Sequence, residues 1–210
     1  MVKTREERGT HRAHRFASLS ILLPHYRLIA SLRFHPRNGG TLAAVRAALH
    51  DFQMAGGQLK AVFLDRGFYN YAVLSWLKAQ RITAVVPLRL GSRQRKKWER
   101  GQRSYTTTHT LKGPRPDNPP LEVTIHVVVR YQMGRKWGKH GCQYLIYAVL
   151  GEMGLREVAD RYRGRFGIES SYRVLGQALA RTSSRSPALR LLQVGVGMLL
   201  QNEWVRLRLM

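Results

Sequence analysis

The first third of the chain alternates short apolar runs with segments of helical spacing. Residues 14–34 predict two strands that meet at the turn Leu23-Pro24-His25, because both arms are apolar and proline lies where no ladder hydrogen bond is needed. Residues 42–54 place apolar side chains three or four positions apart, which predicts a helix with Thr41 as its N-cap.

A strand, a helix and another strand are predicted next. Residues 59–64 form a short apolar run that leads directly into Asp65, Tyr71–Gln80 has helical character, and Thr83–Leu88 is again a short strand. Strands that alternate with helices favour a sheet with crossover connections, and therefore an α/β domain.

The pattern changes near Arg89. Residues 91–103 are predicted to be a basic loop, and they are followed by β-type segments at Ser104–Thr110, Leu121–Tyr131 and Tyr144–Leu150. From Leu155 the spacing is helical, and it ends in an apolar helix over Pro187–Arg208 that Ser186 caps. We therefore predict three parts, with a β-rich module inserted into an α/β domain: residues 1–90, 91–150 and 151–210.

Charge narrows the choice of partner. The 210 residues include 36 Lys and Arg against 12 Asp and Glu, a formal net charge of +24. Such an excess favours a polyanionic partner such as nucleic acid, although a basic ribosomal-type protein or a genomic bias towards arginine stays open. We expect no membrane span and no signal peptide, and the single cysteine, Cys142, fits a reducing cytoplasm.

Two carboxylates are candidates for chemistry. Asp65 ends an apolar strand, where α/β sheets present reactive groups, but it also fits a turn-forming aspartate. On an ideal helix Glu169 shares a face with Tyr162, Arg165 and Arg173. The alternative for Glu169 is a solvated face on which it pairs with the two arginines.

Taken together, these segments resemble the DDE transposases of insertion sequences. Residues 60–88 resemble the block around the family's second aspartate, in which an apolar strand ends in Asp and Arg-Gly-Phe-Tyr follows. Residues 162–175 resemble the third block, with Tyr, two residues, Arg, three residues and Glu. Asn202 and Trp204 resemble an Asn-x-Trp in the closing helix.

The resemblance implies a ribonuclease H-like mixed sheet with flanking helices, and metal-dependent DNA cleavage and strand transfer at insertion-sequence ends. Asp65 and Glu169 would be two of three ligands for two Mg²⁺ or Mn²⁺ ions. Tyr162 and Arg165 would contact the DNA backbone near the scissile phosphate. The partner would be double-stranded DNA, bound by a homodimer or larger assembly in the cytoplasm, at the nucleoid.

Other basic residues are further candidates for DNA contact. The run 93–103 is either a solvated loop or a DNA contact, in which Lys96 and Lys97 would bind DNA and Trp98 would stack on an unpaired base. Gly176 stands where the family has Lys, and Arg173 would partly replace the lost phosphate contact.

The family's first catalytic aspartate has no counterpart here. The acidic residues before Asp65 are Glu6 and Glu7, in a charged stretch without predicted strand character, and Asp51, in the predicted first helix. We therefore expect a missing opening strand, through a misassigned start, a frameshift or pseudogene decay. The alternative function is that of a non-catalytic DNA-binding remnant, which binds transposon ends or interferes with full-length transposase. A third interpretation is a basic component of a ribonucleoprotein.

Overall fold

A computed structural model of the chain describes residues 2–7, 10–13, 16–24, 26–35, 40–88, 90–131, 141–178 and 184–209. Contacts among residues group the chain into two compact units. The central unit runs from Leu59 to Arg163, and the discontinuous unit combines Met1–Gln58 with Gly164–Met210. Both units contain strands and helices, which confirms the predicted α/β class.

Nine strands, five α-helices and one short 3-10 turn follow one another along the described residues. In chain order the strands and helices are β1 (Val2–Glu7), β2 (Thr10–Ala13), β3 (Phe16–Leu22), β4 (Arg27–Phe34), α1 (Thr41–Met54), β5 (Val62–Phe63), α2 (Tyr71–Ala79), β6 (Ala84–Pro87), α3 (Ser92–Trp98), β7 (Tyr105–Leu111), β8 (Leu121–Tyr131), β9 (Cys142–Leu150), α4 (Leu155–Ala178) and α5 (Pro187–Leu207).

The central unit is built on a five-stranded mixed sheet with the order β5-β6-β9-β8-β7. β5 runs parallel to β6 after the crossover through α2, and the other neighbours pair antiparallel. The β-type segments predicted between residues 91 and 150 therefore extend the same sheet as the strand before Asp65. The contact-based units have their boundaries after Gln58 and after Arg163, and the division after residues 90 and 150 stays a prediction.

The middle of this sheet is buried on both faces. Ala84, Val85 and Val86 are consecutive in β6 and have no exposed surface, and successive strand residues point to opposite faces. On one face, Val85 packs in a cluster with Val158 and Tyr162 from the first turns of α4. These first turns of α4 thereby cover the sheet beside the strand that leads to Asp65.

The helix α2 follows Asp65 closely and begins at a side-chain cap. The Asn70 amide oxygen accepts a hydrogen bond from the Val73 N–H at 3.1 Å, which satisfies one of the free donors at the helix start. Val73, Leu74 and Leu77 are fully buried on one face of this helix. The predicted helix is therefore confirmed.

The discontinuous unit contains two hairpins and two helices that contact β4. β1 pairs with β2, and β3 pairs with β4 through a register shift between Leu19 and Ser20. Both α1 and α5 contact β4. The predicted hairpin over residues 14–34 and the C-terminal helix with its Ser186 cap are confirmed, the cap by a 3.4 Å bond from the Leu189 N–H to Ser186 Oγ.

Three local predictions were wrong. Glu6 and Glu7 lie in a strand, because β1 pairs with β2. Thr41 is the first helical residue and Gly40 is the N-cap. Residues Ser92–Trp98 form α3 rather than a loop, since Arg, Gln and Lys favour helix and the Trp98 ring is buried.

None of the helices in the described part of the chain combines the length and the apolar character that a membrane crossing needs.

Candidate active site

Asp65 lies at the carboxyl end of β5, beside the parallel strand β6. The pairing of these strands continues through Leu64, whose N–H donates to the Val85 carbonyl at 3.0 Å. Asp65 is extended, with φ −76° and ψ 158°, and it is exposed. The sheet therefore presents this residue to solvent on a strand end that is itself held by the core.

The alternative role of Asp65 as a turn cap is not what the structure shows. A 3-10 turn over Arg66–Phe68 follows, and it is closed by the Asp65 main-chain carbonyl, which accepts from the Phe68 N–H at 2.9 Å. Within the described residues, the Asp65 side chain makes no hydrogen bond that caps this turn. The turn therefore does not account for a carboxylate at position 65.

Tyr162 lies in the core of the central unit and is 3% exposed. Its hydroxyl donates to the Leu64 carbonyl at 3.2 Å, and its ring centroid is 4.8 Å from that of Tyr147 and 6.4 Å from that of Phe63. The predicted contact of Tyr162 with the DNA backbone does not fit this position, because the side chain is buried and hydrogen-bonded inside the unit. Tyr162 instead ties α4 to the residue before Asp65.

The other residues of the third motif follow on the same helix. α4 continues without interruption through Arg165, Glu169 and Arg173, and also through Gly176. Arg165 is half-buried, whereas the side chains of Glu169 and Arg173 lie outside the described part of the structure. Asp65 belongs to the central unit and Glu169 to the discontinuous one, so their convergence stays a prediction.

The basic residues predicted to contact DNA separate into exposed and buried positions. Lys96 and Lys97 are exposed on α3. Trp98 is 1% exposed, and its ring meets that of His109 edge to face at a centroid distance of 5.1 Å. The predicted stacking of Trp98 on an unpaired base was therefore wrong, because the ring is buried. The indole instead anchors α3 to the central unit.

Asp51 is already occupied by neighbours in the discontinuous unit. Its carboxylate accepts hydrogen bonds from Ser31 Oγ and Arg33 Nε, each at 2.8 Å. These bonds, led by that of Arg33, lower the pKa of Asp51 to about 2. Asp51 therefore has a structural role in the discontinuous unit, as the shared acceptor of Ser31 and Arg33.

Carboxylate oxygens are the donors that Mg²⁺ and Mn²⁺ prefer, and Asp65 offers such a donor at an exposed strand end. Among the side chains that the structure describes, no three His, Cys, Asp or Glu residues gather into a group able to hold a metal ion. A metal site would therefore need Glu169 or another carboxylate to join Asp65.

Three tyrosines with a structural role near α3 were missed in the sequence. Tyr105, Tyr131 and Tyr144 donate hydroxyl hydrogen bonds to main-chain carbonyls at the end of α3 and just after it. Tyrosine is common in β-strands, so its presence in these segments gave no sign that the hydroxyl groups make specific hydrogen bonds.

Comparison with known proteins places these features in a family. The family model described as the transposase DDE domain matches residues 1–200 of the chain. A search of curated proteins found none that matches.

Proposed function

The chain belongs to the transposase DDE domain family, and we propose that it acts as the catalytic region of an insertion-sequence transposase. Enzymes of this family act on DNA by nuclease and transposition chemistry, and they typically use divalent metal ions. The reaction we propose is cleavage of the phosphodiester backbone at the ends of the element, followed by strand transfer into target DNA. As a DNA-processing protein it would work at the nucleoid in the cytoplasm.

The observation that carries this proposal is the setting of Asp65. The carboxylate-bearing residue is exposed, while the strand end beneath it is fixed by the Leu64 bonds to Val85 and Tyr162. A catalytic carboxylate needs this combination, because small displacements of a positioned group reduce the rate strongly.

The carboxylates of Asp65 and Glu169 would hold Mg²⁺ or Mn²⁺, with two ions in the full site. When bound, such ions stabilise the charge on the attacking and leaving oxygens of the phosphoryl transfer. Arg165 and Arg173 are placed by the helix of Glu169 and would contact the phosphates on either side of the scissile bond, since guanidinium groups bind phosphate oxygens in pairs. Two such sites would act on two DNA ends in a homodimer or larger assembly.

A second candidate is a non-catalytic DNA-binding protein that occupies transposon ends or interferes with full-length transposase. The observation that favours it is Asp51, which is engaged with Arg33 and Ser31. Besides Asp51, the sequence before Asp65 contains only Glu6 and Glu7 as acidic residues. The catalytic proposal needs a third carboxylate, and few acidic residues before Asp65 could supply it.

Cleavage assays on DNA that carries the element's ends distinguish the two candidates. We expect Asp65→Asn and Glu169→Gln to abolish cleavage and strand transfer in Mg²⁺ or Mn²⁺ while DNA binding is kept. Asp117→Asn is the matched control, because Asp117 is an exposed carboxylate in the same unit as Asp65. Cleavage by Asp65→Asn at the rate of the unchanged chain would refute the assignment, and DNA binding without any cleavage by the unchanged chain would favour the second candidate.

A further inference from the structure

Three tyrosine hydroxyls hold the main chain at the end of α3 and in the segment that follows it. They come from β7, β8 and β9, which are adjacent in the sheet of the central unit. Tyr105 donates to the Trp98 carbonyl at 2.7 Å, Tyr144 donates to the Gly101 carbonyl at 2.7 Å, and Tyr131 donates to the Gln102 carbonyl. We call these residues the tyrosine clamp.

The clamp gives α3 an orientation that the helix could not keep alone. A helix of seven residues is far below the length at which an isolated helix is stable, and its last carbonyls have no partner within the helix. The Tyr105 bond satisfies one of these carbonyls, and the buried Trp98 ring fixes the helix to the unit from inside. α3 is therefore held through both its main chain and its one large apolar side chain.

The outer side of α3 is basic. Arg95, Lys96 and Lys97 are exposed, and the exposed residues Arg100 and Arg103 follow within the clamped segment. Lys97 Nζ lies 5.6 Å from the Trp98 ring centroid, a distance at which the ring attracts the ammonium group. These cations surround a fixed piece of main chain in a protein whose net charge is +24.

We propose that α3 is a preorganised contact surface for the phosphate backbone of double-stranded DNA, and that Tyr131 and Tyr144 are positioning residues for it. The proposal rests on the proposed function only in taking DNA as the partner. Lysine and arginine on such a surface bind phosphates and read no bases, so the contact is independent of sequence. A helix that is already fixed loses less conformational entropy on binding than a flexible basic loop, so the clamp increases affinity without touching DNA.

The charge part of the proposal is tested by the salt dependence of binding to a duplex of the element's end. Log K falls with log salt, and each lost phosphate contact makes this negative slope shallower by roughly 0.9. The double variant Lys96→Gln, Lys97→Gln should therefore reduce the magnitude of the slope by about 2. Lys112→Gln, which changes an exposed lysine directly after β7, is the control and should leave the slope unchanged. An unchanged slope in the double variant overturns the proposal.

The positioning part is tested by removing only the hydroxyl groups. Tyr131→Phe with Tyr144→Phe should weaken binding about three- to tenfold at fixed salt and leave the slope unchanged, because the same phosphates are contacted once the helix is ordered. Tyr71→Phe is the matched control, since the Tyr71 hydroxyl also donates to a main-chain carbonyl, that of Pro119, at 2.7 Å. A clamp variant that is no weaker than this control refutes the positioning role.

Two further arms keep the outcomes distinct. Circular dichroism at the binding temperature verifies the fold, and each tyrosine variant is measured alone if the pair does not fold. Tighter binding to single-stranded DNA or to an RNA duplex of the same length would overturn the assignment to double-stranded DNA. All binding is measured in a chelator without divalent ions, so absence of cleavage would count against the proposed function and not against this surface.

Discussion

The hydroxyl of Tyr162 donates a hydrogen bond to the main-chain carbonyl of Leu64 over 3.2 Å. Tyr162 lies near the start of α4, and Leu64 is the residue before Asp65. One buried bond thus connects the helix of the third motif with the strand end of the second motif. The residue that makes this bond was predicted to contact DNA instead.

Removing this hydroxyl should destabilise the protein while DNA binding is kept. Tyr162→Phe leaves the packing against Tyr147 in place but leaves the Leu64 carbonyl without its tyrosine partner, at a cost of about 1 kcal/mol in the free energy of unfolding. Urea unfolding measures this loss, and a titration with duplex DNA measures affinity. If Tyr162→Phe weakened DNA binding strongly and left stability unchanged, the tyrosine would be a DNA contact after all.

Asn202 binds β4 as a neighbouring strand would. Its Oδ1 accepts from the Ile29 N–H at 2.8 Å, and its Nδ2 donates to the Ile29 carbonyl at 2.8 Å. Asn202→Ala removes both bonds and should lower the free energy of unfolding by about 1–3 kcal/mol, measured by urea unfolding. Glu203→Ala on the exposed side of the same helix is the control and should change stability by less than about 0.5 kcal/mol. Equal effects of the two changes would contradict the strand-like role.

The elements that the sequence predicted well are those with a local apolar pattern. The helix α2 buries Val73, Leu74 and Leu77 at the helical spacing that its own segment displays. The hairpin β3–β4 and the helix α5 were predicted from the apolar character of their segments. α3 was missed because a single buried residue, Trp98, holds it, and one apolar position in seven gives no period. The continuity of the sheet through β9 and β6 depends on pairing between distant segments, which local patterns do not encode.

The elements that carry the candidate site were predictable from the sequence, and the surroundings of their residues were not. The strand before Asp65 and the helix of Glu169 are both present, as the two motifs predicted. The burial of Tyr162 depends on Phe63 and Tyr147, which are remote in sequence. Likewise, the resemblance of the closing helix singled out Asn202, but its role became clear only from its hydrogen bonds with the main chain of Ile29.

Asp51 should make stability depend on pH in the acid range. Its folded pKa is about 2, below its ordinary value of 3.8, so its contribution is present above about pH 4 and is lost as the pH falls towards 2. Asp51→Asn should therefore be less stable than the unchanged protein at pH 5, with a difference that shrinks to nothing near pH 2. Urea unfolding at several pH values measures it, and a difference that is constant with pH would contradict the assignment.

Ser31 tests the cause of that shift separately. Its hydroxyl is the second donor to the Asp51 carboxylate, so Ser31→Ala should raise the pKa of Asp51 towards its ordinary value. The acid loss of stability would then begin at a higher pH than in the unchanged protein. Added salt should weaken mainly the contribution of Arg33, whose side chain is half exposed. A Ser31→Ala profile identical to that of the unchanged protein would show that the Ser31 hydroxyl does not lower the pKa of Asp51.

His126 should make the protein less stable as the pH falls through neutrality. It is 5% exposed in β8, burial lowers its pKa below the ordinary 6.5, and Nδ1 is buried without a hydrogen-bond partner among the described residues. The unfolded chain therefore takes up a proton at a higher pH than the folded protein, so stability present above about pH 6.5 is lost below it. His126→Leu should remove this dependence, and its advantage over the unchanged protein in urea unfolding should grow from pH 7.5 to 5. The control is Thr124→Val, which changes no titrating group and should shift stability equally at every pH. If the stability of His126→Leu ran parallel to that of the unchanged protein across this pH range, His126 would not be the source of the pH dependence.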